Sequence, residues 1–331
     1  MNAAAPDAPE RKFDAVLPLM RCPGCGGAVR WDDAAGVAAR GSLRCERCGS
    51  EFPVRGGIPR FVAEADDPLA RRTQVSFGYE WTHFDDWTAS GQENFQDYFT
   101  GIDLAALREA LVLDAGCGMG RHAKHLAPHA GHIVAVDFSR AIDAAARNVA
   151  DDANVSCIQA DLTRLPLADG AFDFVYSMGV LHHLANTEEA VHALARKLRA
   201  GGRLRLYVYW KRSGWSGALL RIVSGVRRVT TRLPFPVLRL VCWILSLGLY
   251  AGLVLSYRAL LALGVNVPRD WPLFVYTKYP FTVLYNDQFD RFSAPLEKRY
   301  TAEEAAALLR AAGLRDVRVR PMFGWLADGV R

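Results

Sequence analysis

Between residues 190 and 269 the sequence contains no aspartate or glutamate, although it contains 14 lysines and arginines there. The whole chain of 331 residues has a net charge of only +5, so the residues outside this stretch have a net charge of −9. This distribution excludes a uniformly basic protein and indicates one basic element attached to an acidic body. Because 51% of the residues are hydrophobic, the chain can bury a large core, and its length predicts two domains.

The first ten residues also have no apolar run, since alanine, proline and aspartate dominate them. We therefore expect residues 1–15 to form a disordered tail, with no signal peptide, and the protein to be cytoplasmic. Cysteine is scarce, and four of the seven cysteines form two Cys-x-x-Cys pairs separated by 19 residues: Cys22, Cys25, Cys45 and Cys48. This spacing is typical of a four-cysteine zinc ribbon, which we predict over residues 16–63 around a structural Zn²⁺. A disulfide-forming pair is the weaker alternative in the cytosol.

A glycine-dense turn follows a short apolar run at residues 111–113. The run ends in Asp114 and continues as Gly116-x-Gly118-x-Gly120 before an amphipathic segment, which predicts a strand, a turn and a helix. Such a turn serves either a nucleotide-like ligand or plain packing of the strand on the helix.

Four more apolar runs, at 133–137, 155–159, 172–177 and 204–209, alternate with helical segments near 141–148 and 188–198. This order is typical of a parallel sheet in a doubly wound α/β fold. Asp137 ends the second run, 23 residues after Asp114, where such folds place a ribose-binding carboxylate.

From about Leu104 onward the sequence resembles the class I S-adenosylmethionine (SAM) dependent methyltransferases. Their motif E/D-x-G-x-G-x-G matches residues 114–120, whereas dehydrogenase turns read G-x-G-x-x-G. The resemblance implies SAM as cofactor and a seven-stranded, Rossmann-like sheet within residues 104–331, completed by a hairpin at 314–320 and after Pro321. It also implies a cofactor-binding set in which Asp137 binds the ribose, Phe138, Asp161 and Leu162 bind the adenine, and Ser177 lies near the methionine. The alternative for each acid is a strand end or a helix cap.

Residues 64–103 are predicted to be a linker and an aromatic lid. Tyr79 and Trp81 either close on the SAM sulfonium or pack the ribbon against the catalytic domain. His182 and His183 follow the fourth strand and are candidate general bases, with His182 preferred, or else they begin the next helix and pack around SAM. Further candidates for the acceptor pocket lie near the C-terminus: Asp287, Asp290, Arg291 and Tyr300.

A basic and apolar insertion at about 211–285 follows the fifth strand. Residues 215–230 predict a basic amphipathic helix, and residues 240–257 contain no charge over 18 residues, which is long enough to span a membrane. A single span would place the last two strands across the bilayer from the other five. The chain must therefore return, and the apolar segments 260–267 and 271–285 are predicted either to do so as a re-entrant hairpin or to lie flat on an anionic membrane surface. Either arrangement makes the protein peripheral or monotopic at the inner face. A soluble helical cap and an oligomer interface remain open alternatives.

Together these features predict an enzyme that methylates a small-molecule or lipid-linked acceptor, on oxygen in preference to carbon or nitrogen. The alternative is an RNA methyltransferase, since zinc ribbons are joined to rRNA-modifying enzymes and 14 cations can neutralise phosphates. Two observations oppose it: the cations alternate with aliphatic runs, and the fourth strand ends in Ser177-Met-Gly-Val180 instead of the N/D-P-P-Y of base methylation. A non-catalytic SAM-fold binding protein is the third possibility, although its expected mark, loss of the glycines or of Asp137, is not seen.

Overall fold

The computed structural model describes residues 12–13, 15–32, 41–62, 68–84, 91–212, 214–269 and 271–331. Its centre is a seven-stranded sheet, formed by β5 (Leu111–Ala115), β6 (His132–Asp137), β7 (Val155–Gln159), β8 (Phe172–Met178), β9 (Leu198–Val208), β10 (Arg315–Pro321) and β11 (Trp325–Val330). The order of the strands across the sheet is β10-β11-β9-β8-β5-β6-β7. The predicted Rossmann-like fold is confirmed.

The inner strands are buried on both faces, which explains their nearly continuous apolar sequences. All five residues of β7 are buried, and in β6 the four residues from Ile133 to Val136 are fully covered. The strands β5 to β9 pair in parallel, and β11 pairs antiparallel with both β9 and β10. The last hairpin therefore returns to the same sheet, as the sequence predicts.

Helices connect these strands and cover both faces of the sheet. They are α1 (Pro68–His83), α2 (Gly91–Tyr98), α3 (Arg121–Leu126), α4 (Ala141–Asn148), α5 (Thr187–Lys197), α6 (Gly214–Thr230), α7 (Phe235–Leu249), α8 (Leu255–Ala262), α9 (Phe281–Ser293) and α10 (Ala302–Ala311). A π-helical turn, Tyr250–Val254, joins α7 to α8 without a break. Thr301 and Glu304 form the capping box that starts α10, as their spacing predicts.

The N-terminal segment forms a separate four-stranded antiparallel sheet: β1 (Val29–Trp31), β2 (Ser42–Cys45), β3 (Glu51–Arg55) and β4 (Ile58–Pro59). It packs on the open edge of the large sheet, where Arg60 pairs in parallel with Gln159 of β7. Phe13 is 4% exposed within the shared core, so this part of the predicted tail is packed, whereas residues 1–11 and 14 lie outside the described residues. The ribbon therefore covers a sheet edge that would otherwise present unpaired backbone groups.

The insertion after β9 is helical and stands out from the sheet. Within the described residues, one continuous helix, Phe235–Ala262, has the length and apolar composition needed to cross a membrane, and only 22% of its most apolar window is buried. One face of α7, formed by Leu238, Cys242 and Ser246, is buried against α9. The segment 271–285 does not form a second apolar helix beside this one, because it contains a 3₁₀ turn, Phe274–Lys278, and the start of α9.

Candidate functional site

The glycine turn lies at the carboxyl end of β5, where the strand order reverses between β5 and β8. Gly116, Gly118 and Gly120 all have positive φ angles, from 54° to 84°. A Cβ atom on Gly116 would come within 2.5 Å of the Val180 side chain, and one on Gly120 within 3.1 Å of Ala145. These two glycines are therefore needed for close packing as well as for the turn.

A cavity of about 1590 Å³ opens above this turn. Seven residues of the predicted cofactor set line it: Trp81, Gly116, Gly118, Asp137, Phe138, Asp161 and Leu162. They come from the ends of β5, β6 and β7 and from α1, which is the position where doubly wound sheets bind their ligands. The residues present therefore fit SAM.

The acids of this group already have partners within the protein. Asp137 accepts hydrogen bonds from the backbone N–H of Gly118 at 2.9 Å and from Ser139, so it fixes the glycine turn to the end of β6. Asp161 accepts from the backbone N–H of Thr163 at 2.8 Å and caps a 3₁₀ turn. A carboxylate can accept about four hydrogen bonds, so each of these acids can bind a ligand as well as its partners within the protein.

Four other residues predicted for this site lie behind the cavity wall. Asp114 is 2% exposed, and burial raises the pKa of its carboxyl group to about 8. Ser177 is fully buried and donates a hydrogen bond to the Ala115 carbonyl at 2.7 Å. Gly120 packs on α4, and Tyr79 stacks between His83 and Phe235 in contact with the insertion.

The two aromatic residues of α1 therefore have different surroundings. The Trp81 indole lies over the glycine turn, where a Cβ atom on Gly118 would be 3.3 Å from its Nε1. The Arg121 guanidinium lies 5.8 Å from the centre of the same ring. Trp81 thus contacts the glycine turn, while Tyr79 contacts Phe235 of the insertion.

The two adjacent histidines also differ. The His182 ring is fully buried against Tyr209, with a centroid distance of 3.9 Å, and burial lowers its pKa well below the usual range. His183 lines the cavity, and its Nδ1 is 2.7 Å from the Leu296 carbonyl. That carbonyl can only accept a hydrogen bond, so Nδ1 carries a proton, and in the neutral form of the ring Nε2 holds the free lone pair.

The Nε2 atom of His183 is 4.0 Å from Oδ1 of Asp290. The second oxygen of Asp290 accepts a hydrogen bond from the Tyr209 hydroxyl at 3.2 Å. This gives a histidine, a carboxylate and a phenol in one row on the cavity wall. Of the other candidates from this region, Asp287 and Arg291 line the cavity, and Tyr300 binds Thr187 instead.

The wall near His183 contains polar residues that the sequence patterns did not single out. Glu80 of α1 is fully buried, and burial together with Asp290 and Asp287 raises its pKa well above the usual range. Tyr276 donates a hydrogen bond to Asp287 at 2.6 Å, and burial raises the pKa of Asp287 to about 6. The sequence held a signal for two other tyrosines of the wall, because Tyr207 at the end of β9 and Tyr209 just after it are two residues apart and therefore fall on one face of the strand.

The part of the cavity wall that the helices of the insertion contribute is aliphatic, and we call the space beside it the apolar arm. Every residue that α6, α7, the π-turn and α8 contribute to the wall is leucine or valine: Leu220, Val223, Leu245, Leu249, Leu253 and Leu261. The cavity thus joins a polar end beside the glycine turn to an apolar end within the insertion.

The four cysteines of the ribbon form a second site. Their sulfur atoms all lie within 4.8 Å of one another, with Cys25 and Cys45 at 3.4 Å and Cys22 and Cys48 at 3.7 Å. A tetrahedral Zn²⁺ with Zn–S bonds of about 2.3 Å has sulfur–sulfur edges of about 3.8 Å. The cluster therefore fits a structural zinc ion, with no position left open for a reactant.

Comparison with known proteins agrees with this geometry. Residues 113–206 match a family model described as a methyltransferase domain. Malonyl-[acyl-carrier protein] O-methyltransferase of Enterobacter lignolyticus is 38% identical over 30% of this chain and 39% of its own length. Demethylmenaquinone methyltransferase of Clavibacter sepedonicus is 34% identical over 40% of this chain and 53% of its own. A tRNA U34 carboxymethyltransferase of Shewanella pealeana is 35% identical over 31% of this chain and 32% of its own.

The chain thus spans between about a third and half of the length of these relatives. The shared part contains the glycine turn, Asp137, Asp161 and the histidine pair, and the ribbon and the insertion lie outside the matched domain. On the domain match, the sheet and the glycine turn, the chain contains a methyltransferase domain of the class I SAM-dependent type.

Proposed function

We propose that this protein transfers the methyl group of SAM to a hydroxyl oxygen of a lipid-linked or other small acceptor. The observation that carries the proposal is that the glycine turn and His183 line the same cavity. Asp137, Phe138, Asp161 and Leu162 would hold the cofactor. When bound, SAM supplies an electrophilic methyl group on its sulfonium.

The protein's own task is then to orient the acceptor and remove its proton. The acceptor hydroxyl gives its proton to Nε2 of His183 as its oxygen bonds to the methyl carbon and the carbon–sulfur bond breaks. Asp290 stabilises the imidazolium that forms, and the Tyr209 hydroxyl holds Asp290 in place. The products are a methylated oxygen and S-adenosylhomocysteine. This assigns the base to His183 and leaves His182 as a packing residue.

Replacing the base tests this proposal. We expect His183→Gln to lower kcat about 10² to 10⁴-fold, since general-base catalysis contributes that much. SAM affinity, measured by calorimetry, should be unchanged because the histidine faces the acceptor. His192→Gln, an exposed histidine on α5, is the matched control. Equal turnover of the two variants on an extract of cellular lipids would remove the base from the mechanism.

We also propose that the insertion binds an anionic membrane surface while lying flat. Sixteen of the nineteen large apolar side chains that are exposed among the described residues lie between Ile222 and Trp271. Exposed arginines, including Arg221, Arg228 and Arg232, lie among them in the sequence, and residues 190–269 contain no acid. Apolar contact combined with cations suits anionic lipid better than RNA, which would need polar and stacking side chains. The relatives include enzymes named for tRNA and for demethylmenaquinone, and the chemistry of this surface supports a lipid-linked acceptor over RNA.

We propose in addition that the ribbon binds a structural Zn²⁺. Cys22 and Cys45 belong to the same buried core as the large sheet, so loss of the ion should loosen both. We expect Cys45→Ser to lose bound zinc, measured by elemental analysis, and to lower the melting temperature. Cys157 lies outside the cluster, so the Cys157→Ala variant should retain its bound zinc. Full zinc content in Cys45→Ser would contradict the assignment.

A further inference from the structure

We infer that the apolar arm binds the hydrocarbon chain of the acceptor, which is therefore an amphiphile with a long alkyl or isoprenoid chain. The inference rests on the proposed function, because that function places the reacting hydroxyl beside His183. It adds the chemical class of the rest of the acceptor and the route by which it enters.

The two ends of the cavity differ in chemistry. All six residues that define the arm are leucine or valine, whereas the end beside His183 contains Tyr209, Tyr276, Asp287 and Asp290. Burying a hydrocarbon chain against aliphatic side chains is favourable by about 0.8 kcal/mol per CH₂. A polar head with an apolar tail matches both ends at once, and a small polar acceptor would leave the arm without a partner.

The size of the cavity points the same way. Sites for one small ligand are usually about 300 to 1,000 Å³, and this cavity measures about 1590 Å³. It therefore has room for a cofactor at the glycine turn and an elongated acceptor in the arm.

The arm opens on the surface that we assign to the membrane. Leu245 is 37% exposed and Leu261 is 41% exposed, so both belong to the cavity wall and to the exposed apolar face of α7 and α8. Arg212 and Arg269 also line the cavity and are exposed. An anionic lipid surface at this mouth would deliver a chain directly into the arm.

A hydrocarbon chain suits this wall better than a segment of protein. The wall is made mainly of helices, whose backbone groups bond within each helix, so a peptide in the arm would find few partners for its own amides. An alkyl chain has no such groups to satisfy.

Displacement of a fluorescent anthroyloxy stearate by n-octanol, n-decanol and n-dodecanol tests the inference on the full chain with SAM present. We expect affinity to rise about fourfold for each added CH₂ until the arm is full. Leu249→Trp, which narrows the arm, should weaken dodecanol binding at least about tenfold. Leu247→Trp, 47% exposed on the outer side of the same helix, should leave it unchanged.

Calorimetry with SAM separates the possible failures. If the unmodified protein does not bind SAM, the proposed function is wrong. Intact SAM binding with affinities independent of chain length would defeat the inference alone, as would equal effects of the two tryptophans. If Leu249→Trp does not fold, Val223→Phe narrows the same arm from α6. If the protein dimerises as its concentration rises and the dimer no longer binds the fluorescent probe, the arm binds a second copy of the chain instead of a hydrocarbon.

Discussion

At the scale of single residues, Asp114 is a carboxyl group that the fold keeps away from water. Its pKa of about 8 in the folded protein compares with 3.8 when it is unperturbed, and burial is the main cause. Between these two values the folded state keeps a proton that the unfolded state has lost. The contribution of Asp114 to the free energy of unfolding is therefore largest at low pH and falls as the pH rises toward 8.

We accordingly expect Asp114→Asn to change the pH dependence of stability. Asparagine cannot titrate, so the stability of the unmodified protein relative to this variant should decline from about pH 5 to about pH 8. Urea unfolding at several pH values measures the difference, and Asp103→Asn, at a surface turn, is a control. A constant difference across that range would show that Asp114 is ionised in the folded protein.

The residues of the site differ in how far sequence could predict them. The glycine turn, Asp137 and Asp161 follow apolar runs directly, so local order places them at one sheet edge. Glu80, Tyr276 and Asp287 come together only through packing of α1 and α9 on the cavity. The choice between His182 and His183 depends on the Leu296 carbonyl, more than a hundred residues away, which no local pattern reveals.

At the scale of elements, the ribbon is linked to the cofactor loop through two side chains. Arg60 donates a hydrogen bond to Oε1 of Gln159 at 3.0 Å and also pairs with Asp143. The Gln159 amide donates to the carbonyls of Phe138 and Ser139, next to Asp137. The ribbon therefore helps to hold the loop that is proposed to bind adenine and ribose.

Removing this link should weaken SAM binding. We expect Arg60→Met to raise the Kd for SAM about fivefold, the equivalent of about one lost hydrogen bond. Arg55→Met removes an exposed arginine from the same ribbon and should have little effect. Calorimetry at equal zinc content makes the comparison, and identical affinities would mean that the ribbon acts on stability alone.

The elements themselves were largely predictable. The apolar runs of the sheet and the capping box of α10 are local signals, and the structure has them close to their predicted bounds, except that β9 begins at Leu198 instead of at the predicted residue 204. The path by which the insertion returns to the sheet was not predictable. The segment 271–285 is apolar in sequence, yet it forms a 3₁₀ turn in which Tyr276 lines the cavity and donates a hydrogen bond to Asp287.

At the scale of the whole molecule, an acidic body carries an apolar element, residues 190–269, that contains no acid. We expect the protein to sediment with vesicles of phosphatidylcholine and phosphatidylglycerol more than with phosphatidylcholine alone. Ile244→Asp should reduce this binding, because it places a charge at the centre of the exposed face of α7, where Ile244 is 58% exposed. Val75→Asp, 51% exposed on α1 and outside the insertion, is the matched control. Equal sedimentation of both variants would assign the apolar face to another partner.

The class of the acceptor can be measured by following the methyl group itself. The protein is incubated with SAM carrying a tritiated methyl group and with total cell extract, and the label is then measured in lipid, RNA and protein fractions. We predict label in the lipid fraction, reduced by His183→Gln and unchanged by His192→Gln. Label recovered in RNA, with none in lipid, would contradict the account.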